Sequence, residues 1–149
     1  MKKILLAVSI MLLCNTGYAQ SDPNLGIIPV PVSITKGNGS FTLDKTVVMV
    51  SQGAEGAKMA DLLNAFIVTK GGFALREVKN PLLKQKAIIL TSVGAEKLPN
   101  EGYKITVTPE HITLIGKGAG LFYAVQTVMQ MLPNKANDKI IVPSVVIND

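Results

Sequence analysis

Residues 103–132 read YKITVTPEHITLIGKGAGLFYAVQTVMQML, and the periodicity of apolar residues changes halfway along them. Tyr103, Ile105 and Val107 alternate with Lys104, Thr106 and Thr108, the period-two pattern of a half-buried strand. Pro109-Glu110 sets a tight reversal, because proline holds the backbone angle that the second position of a turn requires. His111 to Ile115 then returns as the partner strand. After Gly116-Lys117-Gly118-Ala119-Gly120 the period lengthens to that of a helix, Leu121 to Leu132. Its core stripe is Leu121, Phe122, Val125, Val128, Met129 and Leu132, and Pro133 stops it.

Upstream, Ile27-Ile28-Pro29-Val30-Pro31 is extended, since each proline pushes the residue before it out of the helical region. Lys36-Gly37-Asn38-Gly39 signals a turn. Phe41-Thr42-Leu43 and Val47 to Val50 follow as short strands, the second unbroken in its apolarity and so suited to cover on both faces. Glu55 to Thr69 is the first helix. Met59, Leu62, Leu63, Phe66 and Ile67 form its apolar stripe, Lys58, Asp61 and Asn64 its polar side, and Gly71-Gly72 its end. Phe73 to Val78, Ala87 to Thr91 and, beyond a polar loop at Asn134 to Lys139, Ile140 to Ile147 complete the strands. The sum is an α+β chain in two layers, a mixed and largely antiparallel sheet with two helices packed on one face.

At the other end of the chain Lys2 and Lys3 precede an apolar run, Ile4 to Leu13, and Gly17-Tyr18-Ala19 offers small residues at a signal-peptidase site. An almost unbroken apolar run of about ten residues reaches only about 15 Å as a helix, too little for a bilayer. Residues 1–19 therefore read as a cleaved signal peptide, leaving residues 20–149 as the mature domain and placing it in the periplasm or outside the cell. Cys14 does not make a good lipoprotein anchor, because Leu13 rather than a small residue stands before it. The mature chain then has no cysteine, and its core alone holds it together. Loss of Lys2 and Lys3 takes the formal charge from +5 to +3. The remaining basic residues are interspersed with acidic ones, unlike the clustered footprint of a nucleic-acid binder, and no second stretch is apolar enough for a membrane span.

The inventory of reactive groups is thin. His111 is the only histidine, and beside a turn it reads as a solvated residue. No Ser–His–Asp or Cys–His set can be built without a second signal, and no carboxylates have the helical spacing that zinc needs. Most of the acids lie scattered in turns, loops and exposed helix positions, and no two are adjacent. Gly116 to Gly120 matches neither phosphate-binding glycine pattern and reads as a tight passage from hairpin to helix. No cofactor is expected. One polar feature stands out: Tyr123, Gln126, Thr127 and Gln130 lie at i, i+3, i+4 and i+7 of the second helix. Uncharged hydrogen-bonding residues on a helix face suit a neighbouring domain, whereas a solvent face usually carries Lys and Glu.

Three segments resemble the N-terminal domain of family 20 glycoside hydrolases, the β-N-acetylhexosaminidases. They are Ile27 to Pro31 with Phe41 to Leu43; Glu101-Gly102-Tyr103-Lys104-Ile105; and Gly120-Leu121-Phe122-Tyr123-Ala124-Val125-Gln126-Thr127. The last is the most specific, and Ile140 to Asp149 resembles the family's link into its catalytic barrel. The resemblance implies that the barrel begins after Asp149 and carries the catalytic Asp-Glu pair, which supports a reaction assisted by the substrate's own acetamido group. No Asp-Glu dipeptide occurs here, so no catalytic residue carries over. The expectation is a non-catalytic domain that packs on the barrel, with 123/126/127/130 as a contact face. The whole protein would remove terminal N-acetylhexosamine from glycans or chitooligosaccharides. Two other readings stay open: a free-standing secreted module that binds glycan or protein, and an accessory domain of another glycosidase such as an α-glucuronidase. The absence of tryptophan weighs against a sugar platform.

Overall fold

A computed structural model describes residues 25–133 and 139–149. The signal-peptide reading of residues 1–19, the Cys14 question and most of the Asn134–Lys139 loop lie outside the described residues. The chain runs β1 (Ser33–Leu43), β2 (Val48–Ser51), α1 (Gly53–Gly71), β3 (Arg76–Glu77), β4 (Ala87–Thr91), β5 (Tyr103–Val107), β6 (His111–Gly116), α2 (Ala119–Met131) and β7 (Ile140–Asn148). All seven strands join one mixed sheet in the order β1-β7-β5-β6-β4-β2-β3. The half containing β1, β7, β5 and β6 is antiparallel, and β6, β4, β2 and β3 are parallel neighbours. Both helices serve as crossovers: α1 leads from β2 to its parallel neighbour β3, and α2 from β6 to β7, with β5 between them.

The two helices touch each other and the same side of the sheet. Into that layer β5 and β6 send Tyr103, Ile105, Val107, Ile112 and Leu114, all buried. This is the alternation read from the sequence, since successive side chains of a strand point to opposite faces. The continuous run at Val47 to Val50 also has its explanation. Val47 and Met49 join the helix-side core, while Val48 and Val50 meet Ala87 on the opposite face. Each aliphatic side chain buried in this way contributes about 2 kcal/mol.

Four local features differ from the sequence reading. Lys36-Gly37-Asn38-Gly39 is not a turn but a bulge inside β1, where the register to β7 shifts between Lys36 and Ser40. A side chain at Gly37 would come within 3.1 Å of the Ser144 Cβ on β7, so the glycine lets the bulge lie flat on its neighbour. Only Arg76–Glu77 of the expected Phe73–Val78 strand pairs, at the sheet edge. On α1 the innermost residues are Gly56, Ala60, Leu63 and Ile67, with Met59, Leu62 and Phe66 at the margin. Phe122, expected in the core of α2, is 40% exposed.

Candidate functional site

Where α2, the C-terminal end of β7 and the segment before β1 meet, the chain builds a cavity of about 360 Å³ lined by Ile28, Pro29, Tyr103, Tyr123, Gln126, Thr127, Gln130 and Asp149. All four polar residues picked out on α2 are therefore brought to one place, because i, i+3, i+4 and i+7 share a helix face. Their roles differ. Thr127 is buried, and its hydroxyl lies 2.8 Å from the Tyr103 hydroxyl on β5. It belongs to the domain's interior and is not on the surface beside Tyr123. The Tyr103 phenol is pushed above its ordinary pKa, chiefly by burial, and the bond to Thr127 opposes that shift only in part.

Gln130 is exposed, yet its amide is engaged. Its Oε1 accepts from the Ile28 N–H at 2.9 Å, and its Nε2 donates to the Ile28 carbonyl at 3.1 Å. One side-chain amide thus satisfies both backbone groups of one extended residue, as a paired strand would. Residues 27–32 form a strap held this way at one end. At the other end the Val32 N–H donates to Asp149 Oδ1 at 3.0 Å. Asp149 itself is fixed by two backbone bonds to Tyr103, each 3.0 Å. The Ile28–Pro29 peptide bond is cis. Ile27 and Pro31 are buried, whereas Ile28, Val30 and Val32 are 78%, 80% and 84% exposed. Tyr123 is 42% exposed and meets Phe122 edge-on, with ring centroids 5.8 Å apart.

Sequence reasoning found the α2 face and the extended Ile27–Pro31 segment but did not bring that segment, Tyr103 and Asp149 to the face. Ile28 and Gln130 are 102 residues apart in sequence, so no local pattern links them. The strap's one local signal was three large aliphatic residues alternating with two prolines in a segment without charge.

The passage into α2 is steric in purpose. A Cβ on Gly120 would stand 2.3 Å from the Gly102 carbonyl oxygen, and one on Gly116 2.6 Å from the Leu121 nitrogen. The helix start lies on the backbone before β5 and against the end of β6; a side chain at Gly120 would push it off the first and one at Gly116 off the second. His111, at the start of β6, donates its N–H to Thr108 Oγ1 at 3.0 Å within the hairpin turn. Among the described residues, no group of three His, Cys, Asp or Glu side chains is placed to hold a metal ion. No described helix is long and apolar enough to cross a membrane. Asp149 is the single carboxylate lining the cavity, so hydrogen bonding and apolar contact are the chemistry on offer there.

Residues 24–149 match the family model for glycosyl hydrolase family 20, domain 2. A β-hexosaminidase from Porphyromonas gingivalis is 32% identical over 130 residues, which are 84% of this chain and 16% of that protein. Among solved structures, the family 20 exo-β-N-acetylglucosaminidase of Vibrio harveyi superposes with a TM-score of 0.71 at 23% identity, over 84% of this chain and 19% of that one. The β-N-acetylhexosaminidase of Bacteroides fragilis gives 0.64 at 27% identity, over 83% and 24%. The chain spans about a sixth of the length of the P. gingivalis relative. It belongs to glycosyl hydrolase family 20, as the family's N-terminal domain.

Proposed function

We propose that this family 20 chain is the accessory domain of a β-N-acetylhexosaminidase, one that packs on and stabilises a catalytic barrel and supplies no catalytic group itself. The observation that carries this reading is the chemistry of the cavity. Glycoside cleavage takes two acid–base or stabilising groups, usually a pair of carboxylates. The cavity is lined by one carboxylate, Asp149, and that group accepts a backbone N–H from the strap. The uncharged face of α2 supports a role in contact with a neighbour.

In this reading the whole protein removes terminal N-acetylhexosamine from glycans or chitooligosaccharides. The signal-peptide pattern at residues 1–19 supports export to the periplasm or beyond. A nitrophenyl N-acetylglucosaminide is the direct test. The purified 149-residue chain is expected to release no nitrophenol above the buffer rate, and the full-length polypeptide that contains it is expected to release it readily. Turnover by the short chain alone sinks the proposal.

A further inference from the structure

The described chain exposes two clusters of large aliphatic side chains, and their surroundings differ. Leu82 and Leu83, 73% and 94% exposed, sit in a loop flanked by Lys79, Lys84 and Lys86, which keep it solvated. The strap is different. Ile28, Val30 and Val32 fall within a stretch that carries no charged residue from Leu25 to Thr35. It lies against the face of α2, a helix with no charged residue at all, where Phe122 and Tyr123 are also exposed. Uncharged apolar surface that continues from one element to the next marks a docking site more often than a solvent face.

The backbone limits how such a site is used. Pro29 and Pro31 have no N–H, the Ile28 N–H is taken by Gln130 and the Val32 N–H by Asp149. Between Ile28 and Val32 this leaves only the Val30 N–H, too few donors to template an added strand, so any partner reads the side chains. The occupant follows from Asp149. Its carboxylate holds Val32 and its backbone is fixed to Tyr103, so polypeptide continuing past it leaves from the strap itself. Relatives are about four to six times longer than the matched region, which covers between 16% and 26% of their length.

We infer that Ile28, Val30 and Val32 are an apolar anchor by which the domain seats on the polypeptide following Asp149 in the full-length enzyme. This rests on the proposed role as an accessory domain and specifies its contact. The anchor and the tether lie side by side, so docking requires no long linker to close.

Hydroxyl-radical footprinting of the full-length polypeptide tests the inference, with rates normalised to the denatured protein and Leu82, Leu83 and Val93 as internal references. All six side chains are 71–94% exposed in the domain. Docking that excludes water is expected to slow oxidation of Ile28, Val30 and Val32 about fivefold against the references, with no change on hundredfold dilution. Equal rates at all six overturn the anchor; if the same sample cleaves the nitrophenyl substrate, the accessory-domain reading survives that failure. Protection that disappears on dilution also overturns it, because the occupant is then a second copy. A full-length polypeptide without hexosaminidase activity removes the premise and the inference together.

Discussion

The two helices lie side by side on one sheet face and yet meet different surroundings. The outer side of α1 carries Glu55, Lys58 and Asp61, all exposed, the usual dress of a helix against water. The outer side of α2 carries Phe122, Tyr123, Gln126 and Gln130 and no charge. Each helix also uses one amide side chain as a clasp. Asn64 on α1 accepts from the Leu75 N–H at 2.8 Å and donates to its carbonyl at 3.0 Å, as Gln130 does for Ile28. The Asn64 clasp is partly buried and closes the approach to β3. The Gln130 clasp is exposed and positions the strap. Equivalent chemistry therefore serves internal architecture in one helix and the presentation of a surface in the other.

Substitutions at paired positions sharpen that contrast. The largest difference is expected between the helix glycines. Gly120→Ala on α2 forces a Cβ against the Gly102 carbonyl and should cost about 3 kcal/mol in urea unfolding. Gly56 on α1 has its nearest neighbours at 3.6 Å, ordinary contact, so Gly56→Ala should stabilise by about 0.5–1 kcal/mol through a less flexible unfolded chain. Equal effects at both positions would break the comparison.

The clasps come next. Asn64→Ala strands two partly buried backbone groups and should cost about 2 kcal/mol, whereas Gln130→Ala leaves groups that water can reach and should cost about 0.5–1 kcal/mol. Hydrogen exchange should show the second variant freeing the Ile28 amide and leaving the core amides unaltered.

The smallest effect lies away from both helices, in the β1–β2 turn. Hydrogen bonds from Thr46, led by its hydroxyl, hold the Asp44 carboxyl below its ordinary pKa of 3.8. A carboxyl lowered by folding lends stability above the unfolded value, and that contribution is lost as pH falls through the folded one. Stability followed below pH 4 should therefore decline less steeply in Asp44→Asn than in the native chain, while the two run parallel near neutrality.

Both helices, the β5–β6 hairpin, and the strands at Val47 to Val50, Ala87 to Thr91 and Ile140 to Ile147 were legible in the sequence, because each element's burial pattern is written at its own period. The α2 face was legible for the same reason, as a helical repeat of uncharged polar residues. It was not legible which of them faces outward. Thr127 and Gln126 are neighbours on that face, and only the placement of Tyr103 on β5 draws the Thr127 hydroxyl inside. The bulge at Gly37 to Gly39 imitated a turn because glycine and asparagine serve both, and the register of β7 decides between them.

The sequence by itself determined the α+β class, the elements that supply the core and the thinness of the reactive inventory, since composition and local periodicity are properties of neighbours in the chain. Tertiary structure alone decided the parallel half of the sheet, the burial of Thr127 and the strap clamped between Gln130 and Asp149. The strap depends on pairs more than a hundred residues apart, Ile28 with Gln130 and Val32 with Asp149; the burial of Thr127 depends on Tyr103, 24 residues away, and the parallel half on pairings such as Val48 with Ala87 and Ala87 with His111. Contacts closed across such separations leave no periodic trace in the order of residues.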